Sequence, residues 1–168
     1  MTTDVEDAVY ELADALGDDF RSLSPAGERR FDPASVGLAV AAFILWAVAD
    51  GIRDGVKEAS KRGTVAMLES VSRAVGDRLV PSSWRSFFSR APTDQQLSQQ
   101  QDLTTREVIA ARAAVGALAP ESAKQLSVAT AVAVATALGN SGLSADAAER
   151  VRRKVEIQVL RIIVTPEA

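Results

Sequence analysis

The sequence contains neither cysteine nor histidine among its 168 residues. Without cysteine the chain cannot form disulfides, zinc–thiolate sites or a thiolate nucleophile. Without histidine it lacks the most frequent general base, the most frequent metal ligand and any Ser-His-Asp relay. It also has no phosphate-binding loop with its lysine and no Gly-x-Ser-x-Gly nucleophile motif. These absences predict a protein that is not an enzyme, with no catalytic residues, cofactor, bound metal or small-molecule substrate.

Basic residues are absent from the first 20 positions, where seven acidic side chains lie. A secretory signal peptide begins with basic residues and continues with an apolar stretch, so this composition predicts a cytoplasmic protein. The whole chain has 19 basic and 22 acidic residues and a formal net charge of −3. Proteins that bind nucleic acid usually carry a basic surface, so nucleic acid is not an expected partner.

Aromatic residues are absent from the second half of the chain, since all eight lie before position 91. The segment 91–103 is polar and rich in glutamine, which is typical of a linker. We therefore predict an N-terminal helical part over 1–90, a linker over 91–103 and a C-terminal three-helix part over 104–168. The C-terminal part is rich in Ala and Val, which bury little area per side chain. We expect it to pack on the first part or on another copy of itself.

Apolar residues recur at the three- and four-residue spacing of helices along most of the chain. Helix start and end signals divide this pattern into about six helices, the longest of which covers about 33–62. The other helices are predicted over about 4–16, 64–79, 104–118, 120–138 and 145–163, with a short one after Pro81. Residues 155–163 also begin with alternating apolar and polar residues, so a short strand is an alternative there. The sequence thus predicts an all-α helical bundle organised around one long helix.

The long helix is uncharged in its first half and highly charged in its second half. No residue is charged over 33–49, whereas seven charged residues lie within 50–62. One apolar face continues along the whole helix and includes Ala47, Gly51 and Gly55, whose spacing would let a neighbouring helix approach closely. The opposite face is charged in its second half, with oppositely charged residues at helical spacing.

A second apolar face covers the first half of the long helix only and must be buried against something. Its residues are Val36, Val40, Phe43 and Trp46. The 17 uncharged residues extend about 25 Å along a helix, short of the ~30 Å hydrocarbon core of a membrane, so their length favours a core helix. The alternative is a membrane-associated or single-span protein that uses residues 33–52. In that case the basic residues that follow would place the C-terminal part in the cytoplasm.

Two further groups of side chains are candidates for contacts with partners. Trp84, Phe87 and Phe88 either anchor a partner or a membrane, or fold back over the core of the first part. A basic patch on the last helix either is a solvated face or meets the acidic N-terminal helix of the same or another chain. The patch consists of Arg150, Arg152, Arg153 and Lys154.

Together these features predict a non-catalytic interaction or assembly protein that acts through helix–helix association with itself, as a homo-oligomer, or with a protein partner. The predicted partner or membrane face consists of the two aromatic-containing groups. Its residues are Val36, Val40, Phe43, Trp46, Trp84, Phe87 and Phe88.

Overall fold

The computed structural model describes residues 2–24, 33–90 and 92–164. Its helices are α1 (Thr2–Leu16), α2 (Pro33–Ala59), α3 (Thr64–Arg78), α4 (Arg85–Ser89), α5 (Asp94–Val115), α6 (Pro120–Asn140) and α7 (Ala145–Gln158). Short 3₁₀ turns cover Gly17–Leu23, Ser60–Arg62 and Pro81–Trp84, and a π turn covers Val159–Val164. The prediction of an all-α bundle is confirmed. The strand considered for 155–163 is wrong, because α7 continues directly into the π turn.

The long helix α2 lies at the centre of the bundle, packed against α5, α3 and α1. It begins at Pro33, as expected of a residue whose missing N–H costs nothing in the first helical turn. The sequence also predicts that Asp32, just before this proline, caps the helix, but Asp32 lies outside the described residues. Most residues of the apolar half of α2 are buried, and the helix forms the middle of the hydrophobic core.

The segment predicted to be a linker is helical instead, because residues 94–103 form the first half of α5. The helix begins at a reciprocal capping box and not at Thr104. The Gln96 N–H donates to Thr93 Oγ1 at 3.2 Å, and the Thr93 N–H donates to Gln96 Oε1 at 2.9 Å. Glutamine is a good helix former, and Gln95, Gln96 and Gln99 are exposed. The polarity of this segment therefore reflects its exposure on a surface helix.

Helices from both halves of the chain share one hydrophobic core. The C-terminal helix α6 packs on α3, and α7 packs on α1. The buried Gln158 amide joins the two ends of the chain, since its Nε2 donates to the Ala8 carbonyl oxygen at 2.7 Å. The aromatic-poor second half thus packs on the first half, which supplies the larger side chains.

Helices α2 and α3 approach each other closely at the small residues of α2. A Cβ atom added at Gly55 would lie 2.6 Å from the Val71 Cα, and one added at Gly51 would lie 2.6 Å from the Val75 Cγ2. Ala47, one turn earlier, is fully buried. The spacing between these two helices requires glycine at positions 51 and 55.

Candidate functional site

The chain's own aromatic residues cover Phe43. Its ring centroid lies 5.4 Å from that of Trp84 and 5.8 Å from that of Phe87, both approached edge to face. Trp46 lies 5.5 Å away on the same helix. Edge-to-face pairs at these distances are favourable beyond the area that they bury. The short helix α4 and the turn before it therefore fold back over α2, which was the second alternative for this segment.

The predicted partner face is mostly internal. Val36, Val40, Trp84 and Phe88 are each at most 1% exposed, and Phe43, Trp46 and Phe87 are partly buried. Four of the seven residues therefore offer no surface to a partner in this fold, which corrects the prediction. A helical projection shows that a face needs covering, but it cannot show which segment of the chain covers it.

The basic patch forms ion pairs within the chain. Arg150 pairs with Asp19, and its Nε donates to the Ala15 carbonyl oxygen at 3.1 Å. In the π turn that follows α7, Arg161 lies 3.4 Å from the Glu11 carboxylate. Helix α7 thus meets the acidic N-terminal segment of its own chain, one of the alternatives considered.

The remaining arginines of the patch pair along α7 itself. Arg152 Nη2 lies 2.8 Å from Glu149 and its Nη1 lies 3.1 Å from Glu156. Arg153 also contacts Glu149, at 3.2 Å. The hydrogen bond from Arg152 lowers the pKa of Glu149 to about 2. These pairs have helical spacing; the Arg152 pairs are partly buried, the Arg153 pair is exposed, and Lys154 beside them is half-buried.

A cluster of five charged residues joins α2, α3 and α5 and was not predicted. Asp50, only 7% exposed, accepts hydrogen bonds from Arg78 Nε and from Arg53 Nη2, both at 2.6 Å. Arg78 Nη2 also donates to Asp54 at 2.6 Å. Arg53 Nη1 lies 2.7 Å from Glu107. We call these five residues the charge cluster.

The surroundings of Glu107 shift its pKa. Burial raises the pKa of Glu107 above its ordinary value, and the neighbouring Asp50 carboxylate raises it further, whereas Arg53 acts in the opposite direction. The sequence showed Asp50 and Arg53 only as an ion pair one turn apart on a helix surface. Arg78 and Glu107 come from other helices, so no local pattern connects them to Asp50.

An apolar groove of about 720 Å³ runs between α3 and α6. It is lined by Ser72, Arg73, Gly76, Leu79, Val80, Pro81, Ala129, Val132, Ala133, Thr136, Ala137, Asn140 and Ser141. Arg73 supplies the one charge in this lining. Val128 and Val132, one helical turn apart on α6, are 47% and 48% exposed beside it. One side of the uncharged stretch of α6 is therefore at the surface.

Two further properties of the described residues bear on function. The described residues contain no group of three or more acidic side chains placed to hold a metal ion. Within the same residues, Ala34–Ala59 of α2 is the one helix that is long and apolar enough to cross a membrane. Its most apolar window is 72% buried in the bundle, which a core helix of a soluble protein also shows.

No family model matches the chain, and no curated protein or solved structure is significantly similar to it.

Proposed function

We propose that this chain is a non-catalytic assembly protein that associates with a second copy of itself through the exposed side of α6. The observation that carries the proposal is the pair of half-exposed valines, Val128 and Val132, beside the α3–α6 groove. No charged residue occurs over 125–145. An uncharged helix surface of this kind is favourable in water when another apolar surface covers it.

A second copy fits the groove because α6 has the surface that the groove requires. The groove is lined mostly by uncharged residues, and its one charged residue, Arg73, is exposed, so the groove accepts a ridge of β-branched and small side chains without burying a charge in its centre. Val128 and Val132 form such a ridge, and Val132 also lines the groove. A two-fold axis between these residues would set two α6 helices antiparallel, with each Val128 against Val132 of the other copy. The interface would be isologous, as in most homodimers.

The same arrangement would also bring residues of opposite charge from the two copies together. Helices α3 and α6 run side by side in the same direction, since the Thr64 and Ser122 Oγ atoms lie 3.0 Å apart where the two helices begin. Antiparallel pairing about the two-fold axis brings Lys124 of one copy level with Thr136 of the other. Asp77 follows Gly76, which lines the groove together with Thr136. Both Lys124 and Asp77 are exposed, so an ion pair would form at the rim.

The Val132→Asp variant tests this proposal by light scattering after size-exclusion chromatography. We expect the unaltered chain to form a dimer. In the variant the dissociation constant should rise on the order of 30-fold or more, as for loss of a ~2 kcal/mol central contact. The reason is that each introduced carboxylate would be buried against Val128 of the other copy, near the two-fold axis, without a partner.

Val65→Asp is the matched control, since Val65 is 71% exposed on α3 and does not line the groove. It should leave the dimer intact, and circular dichroism should show unchanged helix content in both variants. A monomeric unaltered chain at all concentrations, or equal dissociation of both variants, would rule the proposal out.

Membrane association through residues 33–52 is a second candidate function, favoured by the length and apolar character of α2. The burial of most of its apolar window favours the first candidate, because a helix covered by its own bundle has little surface left for lipid. Fractionation of expressing cells separates the two candidates. We expect the protein in the soluble fraction without detergent, and recovery that requires detergent would favour the membrane candidate instead.

A further inference from the structure

We propose that the α3–α6 groove also binds a free fatty acid anion, a single-chain amphiphile with a carboxylate headgroup, and that this ligand competes with the second copy for the groove. Binding of the ligand does not depend on self-association, whereas the competition rests on the proposed function. The ligand would therefore regulate the association of the two copies.

The groove has the size and composition of a site for a small apolar ligand. Its volume of about 720 Å³ lies within the usual range for ligand sites, roughly 300–1,000 Å³. Leu79, Val80 and Pro81 line it from the end of α3 and the turn that follows, and three alanines and a valine line it from α6. From Ala129 to Asn140 the lining extends about 17 Å at the helical rise. An alkyl chain can follow such a groove between two parallel helices.

Gly76 keeps the middle of the groove open on the side of α3. A Cβ atom added at this lining residue would have no atom of another part of the structure within 4 Å, whereas those added at Gly51 and Gly55 would lie 2.6 Å from α3. Glycine destabilises a helix relative to alanine, and at position 76 neither a positive φ nor a close approach requires it. The missing side chain leaves space that a ligand can fill.

Arg73 selects the charge of the ligand. It is exposed and is the one charged residue in the lining. Glu69 and Asp77 lie one turn before and after it on α3, yet within the described part of the chain Arg73 forms an ion pair with neither. Its guanidinium group is thus free to bind a carboxylate through two parallel hydrogen bonds. Leu79 lies about 9 Å further along α3 at the helical rise, so the chain of a carboxylate bound at Arg73 would extend over the apolar lining.

The ligand and the second copy need the same surface. Val132 lines the groove and, in the proposed dimer, contacts the other copy. An alkyl chain in the groove would cover the apolar residues that the ridge of the second copy covers, so the two cannot bind together. A ligand that binds the monomer and not the dimer shifts the equilibrium toward the monomer.

Isothermal titration calorimetry of the full chain with fatty acid anions below their micelle-forming concentrations tests the site. We expect saturable binding of decanoate. Affinity should rise from octanoate through decanoate to dodecanoate, by up to about fourfold for each methylene buried. Acetate, which has the headgroup alone, should not bind measurably.

Two pairs of variants locate the chain and the headgroup. Gly76→Leu places a side chain in the open space and should weaken decanoate binding at least tenfold. Gly139→Leu is its matched control, because Gly139 is also free of neighbours within 4 Å but does not line the groove. Arg73→Gln should weaken binding roughly tenfold, as for loss of a charged hydrogen bond, and Arg73→Lys should restore most of the affinity. Circular dichroism should show unchanged helix content in all four variants.

Val128→Gln separates the ligand site from self-association. Val128 contacts the other copy in the proposed dimer but does not line the groove, so this variant should be monomeric and should bind decanoate at least as tightly as the unaltered chain. Absence of binding to this variant would overturn the site, as would equal affinities of Gly76→Leu and Gly139→Leu. An Arg73→Gln variant that binds as tightly as the unaltered chain would overturn the assignment of the headgroup.

Light scattering tests the competition. Decanoate should convert the dimer of the unaltered chain to monomer over the same concentration range in which it binds. Binding that leaves the dimer intact would contradict the competition. Binding to a chain that is monomeric at all concentrations would support the ligand site and rule out the proposed function.

Discussion

Replacing Gly55 by alanine is expected to lower the free energy of unfolding by about 3 kcal/mol, the upper part of the usual range for overpacking. The added Cβ would lie 2.6 Å from the Val71 Cα and 2.7 Å from the Val71 backbone nitrogen. Backbone atoms cannot rotate away as a side chain can, so α3 would have to move off α2. Denaturation by urea, followed by circular dichroism, measures the loss.

Gly37→Ala is the matched control on the same helix. An added Cβ there would have ordinary contacts with the Phe20 ring, the nearest at 3.6 Å. Alanine also costs less chain entropy than glycine in a helix, so this variant should be about 0.5–1 kcal/mol more stable than the unaltered chain. If Gly55→Ala proved as stable as Gly37→Ala, the close approach of α2 and α3 would be wrong.

Replacing Arg78 by methionine is expected to cost about 3 kcal/mol, as is usual when one partner of a buried ion pair is removed. Arg78 holds both Asp50 and Asp54, and Asp50 is almost fully buried. Without the guanidinium group the cluster would contain three carboxylates and one arginine. Methionine keeps most of the apolar stem, so the loss reports on charge and hydrogen bonding. Thermal and urea denaturation measure it.

A second substitution and a surface control make this prediction specific. Asp50→Asn combined with Arg78→Met should recover part of the lost stability, because it removes the most buried of the three carboxylates that then share Arg53 alone. Arg153→Ala, which breaks an exposed pair with Glu149, should change stability little, since surface ion pairs contribute little. An Arg78→Met variant as stable as Arg153→Ala would show that the charge cluster does not hold α2 and α3 together.

The segment at the start of α5 shows where prediction from sequence fails. Its glutamines were taken as the mark of a linker, because polar low-complexity composition is common in linkers. In the structure three of its five glutamines, Gln95, Gln96 and Gln99, are exposed, and the first buried residue of α5 is Thr104. Thr93 and Gln96 form the capping box, and Thr104 and Glu107 have the same three-residue spacing in the sequence. A local start signal was present at both positions, and tertiary packing decided between them.

The sequence by itself determined the helices and the centre of the bundle. Proline at the first helical position marks the beginnings of α2 and α6, and Ser144 caps α7 through the Ala147 N–H. These signals work because caps and helical periodicity depend on residues within one or two turns. The small residues Gly51 and Gly55 marked a close-packing face for the same reason, because the sequence of one helix is enough to show which of its faces carries small side chains.

Only the tertiary structure decided what covers each face. Trp84 lies over Phe43, and Arg78 and Glu107 meet the charged side of α2, although all three come from distant positions in the chain. The half-exposed Val132 and the fully buried Val134 lie two residues apart in the same uncharged stretch. Hydrophobicity specifies that a side chain should leave water, but the packing of the other helices decides which residues remain at the surface.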